Sequence, residues 1–367
     1  MTSKVSRRGL ITGGLAGSAM ALPMLAGGAQ RAFADTNDDG YTPPLRKLPL
    51  SSGIVPVKAQ GIPNIPFTMD GSVKVFQLRA EPVTLNWPDM SDGMGMDTRP
   101  IMVWGYNGSS PGPTFEVTEG DTVRIVFTNG LDMSTTIHWH GLHIPLNMDG
   151  VPDFSQRPVR PGETFVYEFT LIQSGTYFYH SHVMGAKQVG LGLMGFFIVH
   201  PRNPPNWYYV DHDYLFFLHT WKINPGSPIP DTLEMSEFNY FTMNGQPGPQ
   251  IPPMAAKIGE KVRIRVTNLS MLVHPIHLHG HTFRLVEMGA GFLSPQQHMK
   301  MNTSNVSSAE VRTVDWVAER PGKWLFHCHF SHHVMNDMHR VPLPTDPSME
   351  GMNMDMGGMH TWIEVTS

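Results

Sequence analysis

Apolar and polar residues alternate in short runs along most of this chain, and glycine or proline closes nearly every run. The clearest runs rich in Val, Ile, Phe and Thr are 123–128 (VRIVFT), 165–170 (FVYEFT), 195–200 (GFFIVH, apolar through its centre) and 262–267 (VRIRVT). A period of two places successive side chains on opposite faces of a strand, and β-branched and aromatic residues suit that pleated surface. No long segment carries a strong 3.6-residue period, so the pattern predicts an all-β chain of sandwich or barrel type. With 36 Gly, 32 Pro and 16% charged residues, the composition agrees with turn-rich β-structure rather than helix or disorder.

The pattern also repeats. Residues 121–129 (DTVRIVFTN) align with 260–268 (EKVRIRVTN), and the same offset carries His138 onto His277 and His140 onto His279. Further on, 174–182 (SGTYFYHSH) align with 321–329 (PGKWLFHCH). Two tandem domains of one fold are the economical reading, spanning 68–200 and 213–367. Residues 201–212, opening with prolines at 201, 204 and 205, are the expected linker. Under this alignment Cys328 corresponds to Ser181, His333 to Ala186, Met338 to Leu191 and His274 to Thr135.

Cys328 is the only cysteine, and it sits in the run HCHFSHHVMNDM at 327–338. On a strand, His327 and His329 share one face and Cys328 takes the other. A thiolate, two imidazoles and a weak thioether form the ligand set of a blue electron-transfer copper. Cys328, His333 and Met338 supply three of those four groups from one segment. A buried cysteine among incidental histidines would explain one such residue pair. It does not explain three further clusters: His138-Trp139-His140, His180-Ser181-His182 and the HPIHLHGH run at 274–281. Parity within the last run sets His277 and His279 on one face and His274 on the other, if Pro275 leaves the strand regular.

These four ordered clusters resemble the multicopper oxidases, and the resemblance covers the chain from about residue 70 to its end. It implies two tandem cupredoxin-like Greek-key β-barrels. It implies a type 1 copper on His274, Cys328, His333 and Met338, in the second domain only. It further implies a type 2 copper on His138 and His277. A binuclear type 3 pair would take His140, His180, His182, His279, His327 and His329, giving four coppers per chain. Electrons would enter at His333 and pass through Cys328 to its flanking histidines. Asp149 lies at the spacing where the family keeps an acid near the cluster, so it is the candidate proton donor; a turn aspartate before Gly150 is the plainer alternative. Other histidines, including His200, His212, His219, His281 and His360, are expected to be surface, core or supporting groups.

The first 34 residues read as a twin-arginine signal peptide. Arg7-Arg8 precede a Gly/Ala-rich run, and Ala32-Phe33-Ala34 offers a small-x-small cleavage site. Residues 35–67 are expected to form a flexible arm. The expected location is periplasmic or secreted. No later segment approaches the roughly 18 apolar residues of a membrane span. A net charge of −5 with no basic tract argues against nucleic acid as a partner.

The resemblance leaves three functions to weigh. A laccase-like oxidase would couple one-electron oxidation of small phenolic donors to reduction of dioxygen to water. A cuprous oxidase would take Cu(I) instead, and methionines, 26 in all, cluster at 90–96 and 349–359 where thioethers could capture Cu(I); core filling is the alternative for methionine. A nitrite reductase or copper carrier fits less well. Ser181 stands where a first-domain type 1 cysteine would be, and no histidine of the dioxygen cluster is missing. Because that cluster needs histidines from both domains and the linker is short, a homotrimer with intersubunit clusters is expected.

Overall fold

Four sheets carry the fold, two from each half of the repeat. The computed structural model describes residues 53–88, 98–248, 250–289, 291–336 and 357–367. Met338, the signal peptide, most of the arm and the methionines from 90 to 96 and 349 to 356 lie outside the described residues. All described residues belong to one unit, Asn37–Ser367.

The four runs picked out above become the strands Thr122–Asn129, Thr164–Thr170, Met194–His200 and Lys261–Asn268. The two halves are wired alike. In the N-terminal half, Val73–Pro88 pairs parallel with Thr122–Asn129, which pairs antiparallel with Thr164–Thr170. In the C-terminal half, His212–Trp221, Lys261–Asn268 and Glu310–Val317 repeat that order and those directions. The facing sheets match too. Gly112–Thr118, Met194–His200, Gly175–His180 and His138–His140 correspond to Met254–Lys257, His360–Thr366, Gly322–Cys328 and His274–Leu278. Each expected barrel is thus realised as two sheets around one core. Among the described residues no sheet closes on itself.

Each half buries its own core. Phe76, Phe127, Trp139, Tyr179 and Phe197 share the first, and Phe216, Ile264, Leu278, Phe326 and Cys328 share the second. A third core joins the halves. Along Met194–His200, Phe197 and Val199 enter the first core while Met194, Phe196 and Ile198 enter the joint one. Along His212–Trp221, Tyr214, Phe216 and Leu218 enter the second core while Leu215, Phe217 and Trp221 enter the joint one. Strands buried on both faces read as unbroken apolar runs, which is why FFIV and YLFFL break the alternation.

The arm is more ordered than its composition suggests. Lys58–Ala59 pairs parallel with Tyr214 and Leu215, and Val57, Ala59, Ile62 and Ile65 are buried. Those four apolar side chains correct the expectation of flexibility for the described part of the arm, because burying them offsets the entropy of ordering the chain. The linker is likewise docked. Tyr208 is buried, and its hydroxyl bonds to His200 Nδ1 at 2.7 Å.

Candidate metal centres

The strand Gly322–Cys328 runs beside His274–Leu278 with Ile276 opposite Cys328. Parity holds despite Pro275: His274, Ile276 and Leu278 are buried while His277 turns outward. A short helix, Ser331–Val334, then folds His333 back over the cysteine. Cys328 Sγ lies 3.4 Å from His333 Nδ1 and 3.8 Å from His274 Nδ1, and the two nitrogens are 3.1 Å apart. The centre of such a triangle is about 2 Å from each corner, a metal–ligand bond length. Two neutral imidazoles and a thiol that can bind as thiolate, facing one another in a dry core, suit a soft metal ion such as copper.

Supporting bonds decide which nitrogen faces the metal. His274 Nε2 bonds to Ser270 Oγ at 2.8 Å, leaving Nδ1 for the centre. Ser270 is itself placed by Asn268, whose Oδ1 accepts from the Ser270 backbone N–H at 2.8 Å. His333 stacks on Phe241 with 4.4 Å between ring centroids. Burial pushes the Cys328 thiol up to about 12, so the thiol keeps its proton until a metal displaces it. Burial, then the nearby His332, lowers His333 to about 3. Neither histidine is a solvent-facing ligand: His274 is 0% and His333 1% exposed, with the exposed His332 and Phe330 packed over His333.

The remaining eight expected ligands form two quartets. His138, His140, His180 and His182 cluster with ring centroids 5.3–6.2 Å apart. His277, His279, His327 and His329 cluster at 4.8–5.7 Å. Backbone carbonyls take one nitrogen of several rings. The Nδ1 atoms of His138, His180, His277 and His327 contact the carbonyl oxygens of Asp149, Ser181, Asn302 and Cys328 at 2.7–2.9 Å. Each such ring therefore turns Nε2 toward its quartet. His279 Nε2 and His327 Nε2 are 3.0 Å apart, two ring nitrogens brought together where a cation would relieve the crowding. Burial, then neighbouring imidazoles, lowers His140 to about 4. Burial lowers His180 to about 3 and His327 to about 4 despite the carbonyl bonds that raise each of them. These rings are neutral, ready ligands at neutral pH.

Among the described histidines, ring packing joins members of a quartet to each other and never one quartet to the other. His182, His279 and His329 are exposed, so each quartet opens at the surface of the chain. Asp149 stands behind the first quartet, its carboxylate 3.4 Å from His138 Nδ1 and its carbonyl oxygen 2.8 Å away.

Where the second half has Cys328 and His274, the first has a hydrogen-bonded knot. Thr135 and Ser181 both donate to Gln188 Oε1, the first at 2.7 Å, and Gln188 Nε2 donates to the Ser134 carbonyl. Gln188 was not legible from the sequence as a member of this group. Three spare histidines have structural partners: His200 bonds to Glu116, His212 to Glu260, and His281 packs on Trp316 and Trp324. Met359 is a core residue, and the buried His360 sits opposite His327 across the strand pair.

Comparison with known proteins agrees with this geometry. Multicopper oxidase family models match residues 92–204 and 222–347. The blue copper oxidase of Nitrosomonas europaea superposes with a TM-score of 0.67 at 30% identity, covering 79% of this chain and 85% of that one. The multicopper oxidase mgLAC gives 0.68 at 30% identity, covering 79% and 86%. Copper resistance protein A of Escherichia coli is 39% identical over 136 residues, 37% of this chain. The chain spans only about a fifth of that relative's length (22%).

Proposed function

The chain belongs to the multicopper oxidase family, and from that premise we propose that it is a laccase-like oxidase of small phenolic donors with dioxygen as acceptor. One observation carries the reading. Cys328 enters a buried His274–His333 pair while its chain neighbours His327 and His329 join a histidine quartet, so a single covalent segment links the two centres. The placement of His274, Cys328 and His333 suits a type 1 copper, for which Met338, outside the described residues, is the proposed fourth ligand. Under this reading a type 2 ion on His138 and His277, and a type 3 pair on His140, His180, His182, His279, His327 and His329, would each draw on both quartets and so would need the quartets of two subunits. When bound, copper would supply one-electron transfer at the first centre and four-electron reduction of dioxygen to water at the other.

The chain's own groups do the rest. Phe241 and the second core keep water from the thiolate, and Ser270 fixes the His274 tautomer. Asp149, partly exposed beside His138, is placed to carry protons from solvent to the cluster edge. We further propose a homotrimer, in which the first quartet of one subunit meets the second of the next. The separation of the quartets supports it. So do large apolar side chains exposed between the strands of the first-quartet half: Phe154 (82%), Leu146 (69%), Ile172 (65%) and Met184 (62%). Export by the twin-arginine route remains part of the proposal; among the described residues no helix is long and apolar enough to cross a membrane.

A second reading, a cuprous oxidase, is favoured by the similarity to copper resistance proteins. Copper analysis together with dioxygen uptake tests the main reading. Four coppers per chain and water as the only reduced product are expected with a phenolic donor. Fewer than three coppers, or hydrogen peroxide released in place of water, would refute it.

A further inference from the structure

A cleft outside both metal centres lies between the short helix Gly185–Gly190 and the 231–238 loop. Its volume is about 230 Å³, and apolar groups such as Val189, Phe238 and Leu269 line most of it. That exceeds the roughly 150 Å³ that holds a benzene ring and falls short of the roughly 300 Å³ at which pockets for drug-sized ligands begin. The size selects one substituted ring. Asp231 and Glu234, the acids beside it, are held by their own loop: Asp231 accepts from Leu233 N–H and Asn224, and Glu234 from Ser236 and Glu237 N–H. These two carboxylates are thus already engaged within their own loop, while the cleft also carries the thioethers Met235 and Met271.

Polar side chains interrupt the apolar lining, and two of them, His219 and Ser270, matter most here. His219 is 3% exposed and packs edge-on against Trp221 at 4.5 Å. Neither of its nitrogens makes a well-formed hydrogen bond. Burial lowers its pKa to about 4, and weak interactions with the backbone of Gly190 and Leu269 offset that only in part. A neutral buried imidazole with unmet hydrogen-bonding capacity is costly unless a ligand completes it. The second is Ser270, which lines the cleft and bonds to His274 Nε2. One hydrogen bond thus separates the cleft wall from a ligand of the first metal centre.

We propose that this cleft seats the organic electron donor, a neutral single-ring phenol whose hydroxyl bonds to His219 while its ring lies against Trp221 and Val189. The proposal rests on the oxidase reading and assigns its donor site to the His274 side of the centre, reached through Ser270, rather than to the His333 side.

Calorimetric titration of the copper-loaded protein with 4-cyanophenol, too electron-poor to be consumed readily, tests it. Ala186→Trp places a large ring in the cleft from an exposed helical position, and His219→Phe removes the hydrogen-bonding nitrogens while keeping an aromatic ring. Each should weaken binding about tenfold and raise KM for 2,6-dimethoxyphenol without changing the blue absorption. Benzonitrile, which has no hydroxyl, should bind wild type about tenfold more weakly than 4-cyanophenol and be indifferent to His219→Phe. The bulky dye ABTS should keep its KM in both variants. Equal affinity for 4-cyanophenol in all three proteins, or no saturable binding to wild type, would overturn the site. So would Cu(I) capture dependent on Met235 and Met271, which line the cleft, with no phenol binding. A protein that binds 4-cyanophenol as expected but oxidises no phenol would instead refute the oxidase reading.

Discussion

At Gly150 one absent carbon decides whether the first quartet can form. Its φ of +78° favours glycine, and an added Cβ would lie 1.7 Å from the Ile137 carbonyl oxygen. That close approach lets the Asp149 carbonyl reach His138. Gly150→Ala should lower copper content at the quartet and destabilise the fold by about 1–3 kcal/mol. Asp149→Asn, which keeps the turn and the carbonyl, should retain full copper while turnover falls at least tenfold; unchanged turnover would return Asp149 to a purely structural turn. Metal analysis and steady-state rates separate the two. At Cys328 the expectation is sharper: Cys328→Ser should abolish the intense blue absorption and donor oxidation while quartet copper stays. Phenol oxidation at the wild-type rate would rule out Cys328 as the electron route.

Among the elements, Asn129 and Asn268 close the equivalent strands Thr122–Asn129 and Lys261–Asn268 with the same bonds. Asn129 Nδ2 donates to the Met133 and Val159 carbonyls, and Asn268 Nδ2 to those of Leu272 and Val306. Replacing either with Ala should cost about 1–3 kcal/mol. Only Asn268→Ala should shift the blue absorption, because only that loop leads through Ser270 to His274. A shift in both variants would indicate general loosening. The strand Lys261–Asn268 also carries Arg263, whose guanidinium makes two bonds to Asp315, at 2.8 and 2.9 Å. Burial would raise the Asp315 carboxyl, but the charges and hydrogen bonds of Arg263 and Lys261 outweigh it and hold it below the usual range. A depressed carboxyl stabilises the fold above its unfolded value, near ~3.9, and loses that contribution as pH falls through the folded one. Asp315→Asn should be about 3–5 kcal/mol less stable at pH 7, with the gap to wild type narrowing below about pH 4. Denaturant melts at several pH values would show a constant gap if the ion pair contributed nothing.

The whole molecule is tied by groups that cross between its halves. Glu287 accepts from the Thr176 backbone N–H and hydroxyl, and Arg265 donates to both Thr176 and Asp213. With the joint apolar core, these bonds hold the two quartets within one chain in a fixed relation while leaving each open on its own surface. Copper-loaded enzyme should sediment as a trimer, and dilution below the trimer's dissociation range should remove dioxygen reduction before it removes the blue absorption. A monomer with full activity and full copper would refute the assembly and leave the ligand sets untouched.

The sequence by itself determined what depends on local order. Alternation set the strands, and parity split Cys328 from His327 and His329, because side-chain direction on a strand follows from the backbone alone. The repeat predicted the shared wiring of the halves, and the fourfold histidine pattern supplied the expected ligands through family resemblance. Tertiary structure decided what depends on distant partners meeting. Gln188 joining Thr135 and Ser181, Ser270 reaching His274, the arm pairing with His212–Trp221 and the third core were all invisible locally. Each arises where segments far apart in the chain supply one another's missing hydrogen bonds or apolar cover, and no short window of sequence contains both partners. The burial of His333 is of the same kind: its own helix places it beside Cys328 and His274, but Phe241, from another strand, helps remove it from solvent.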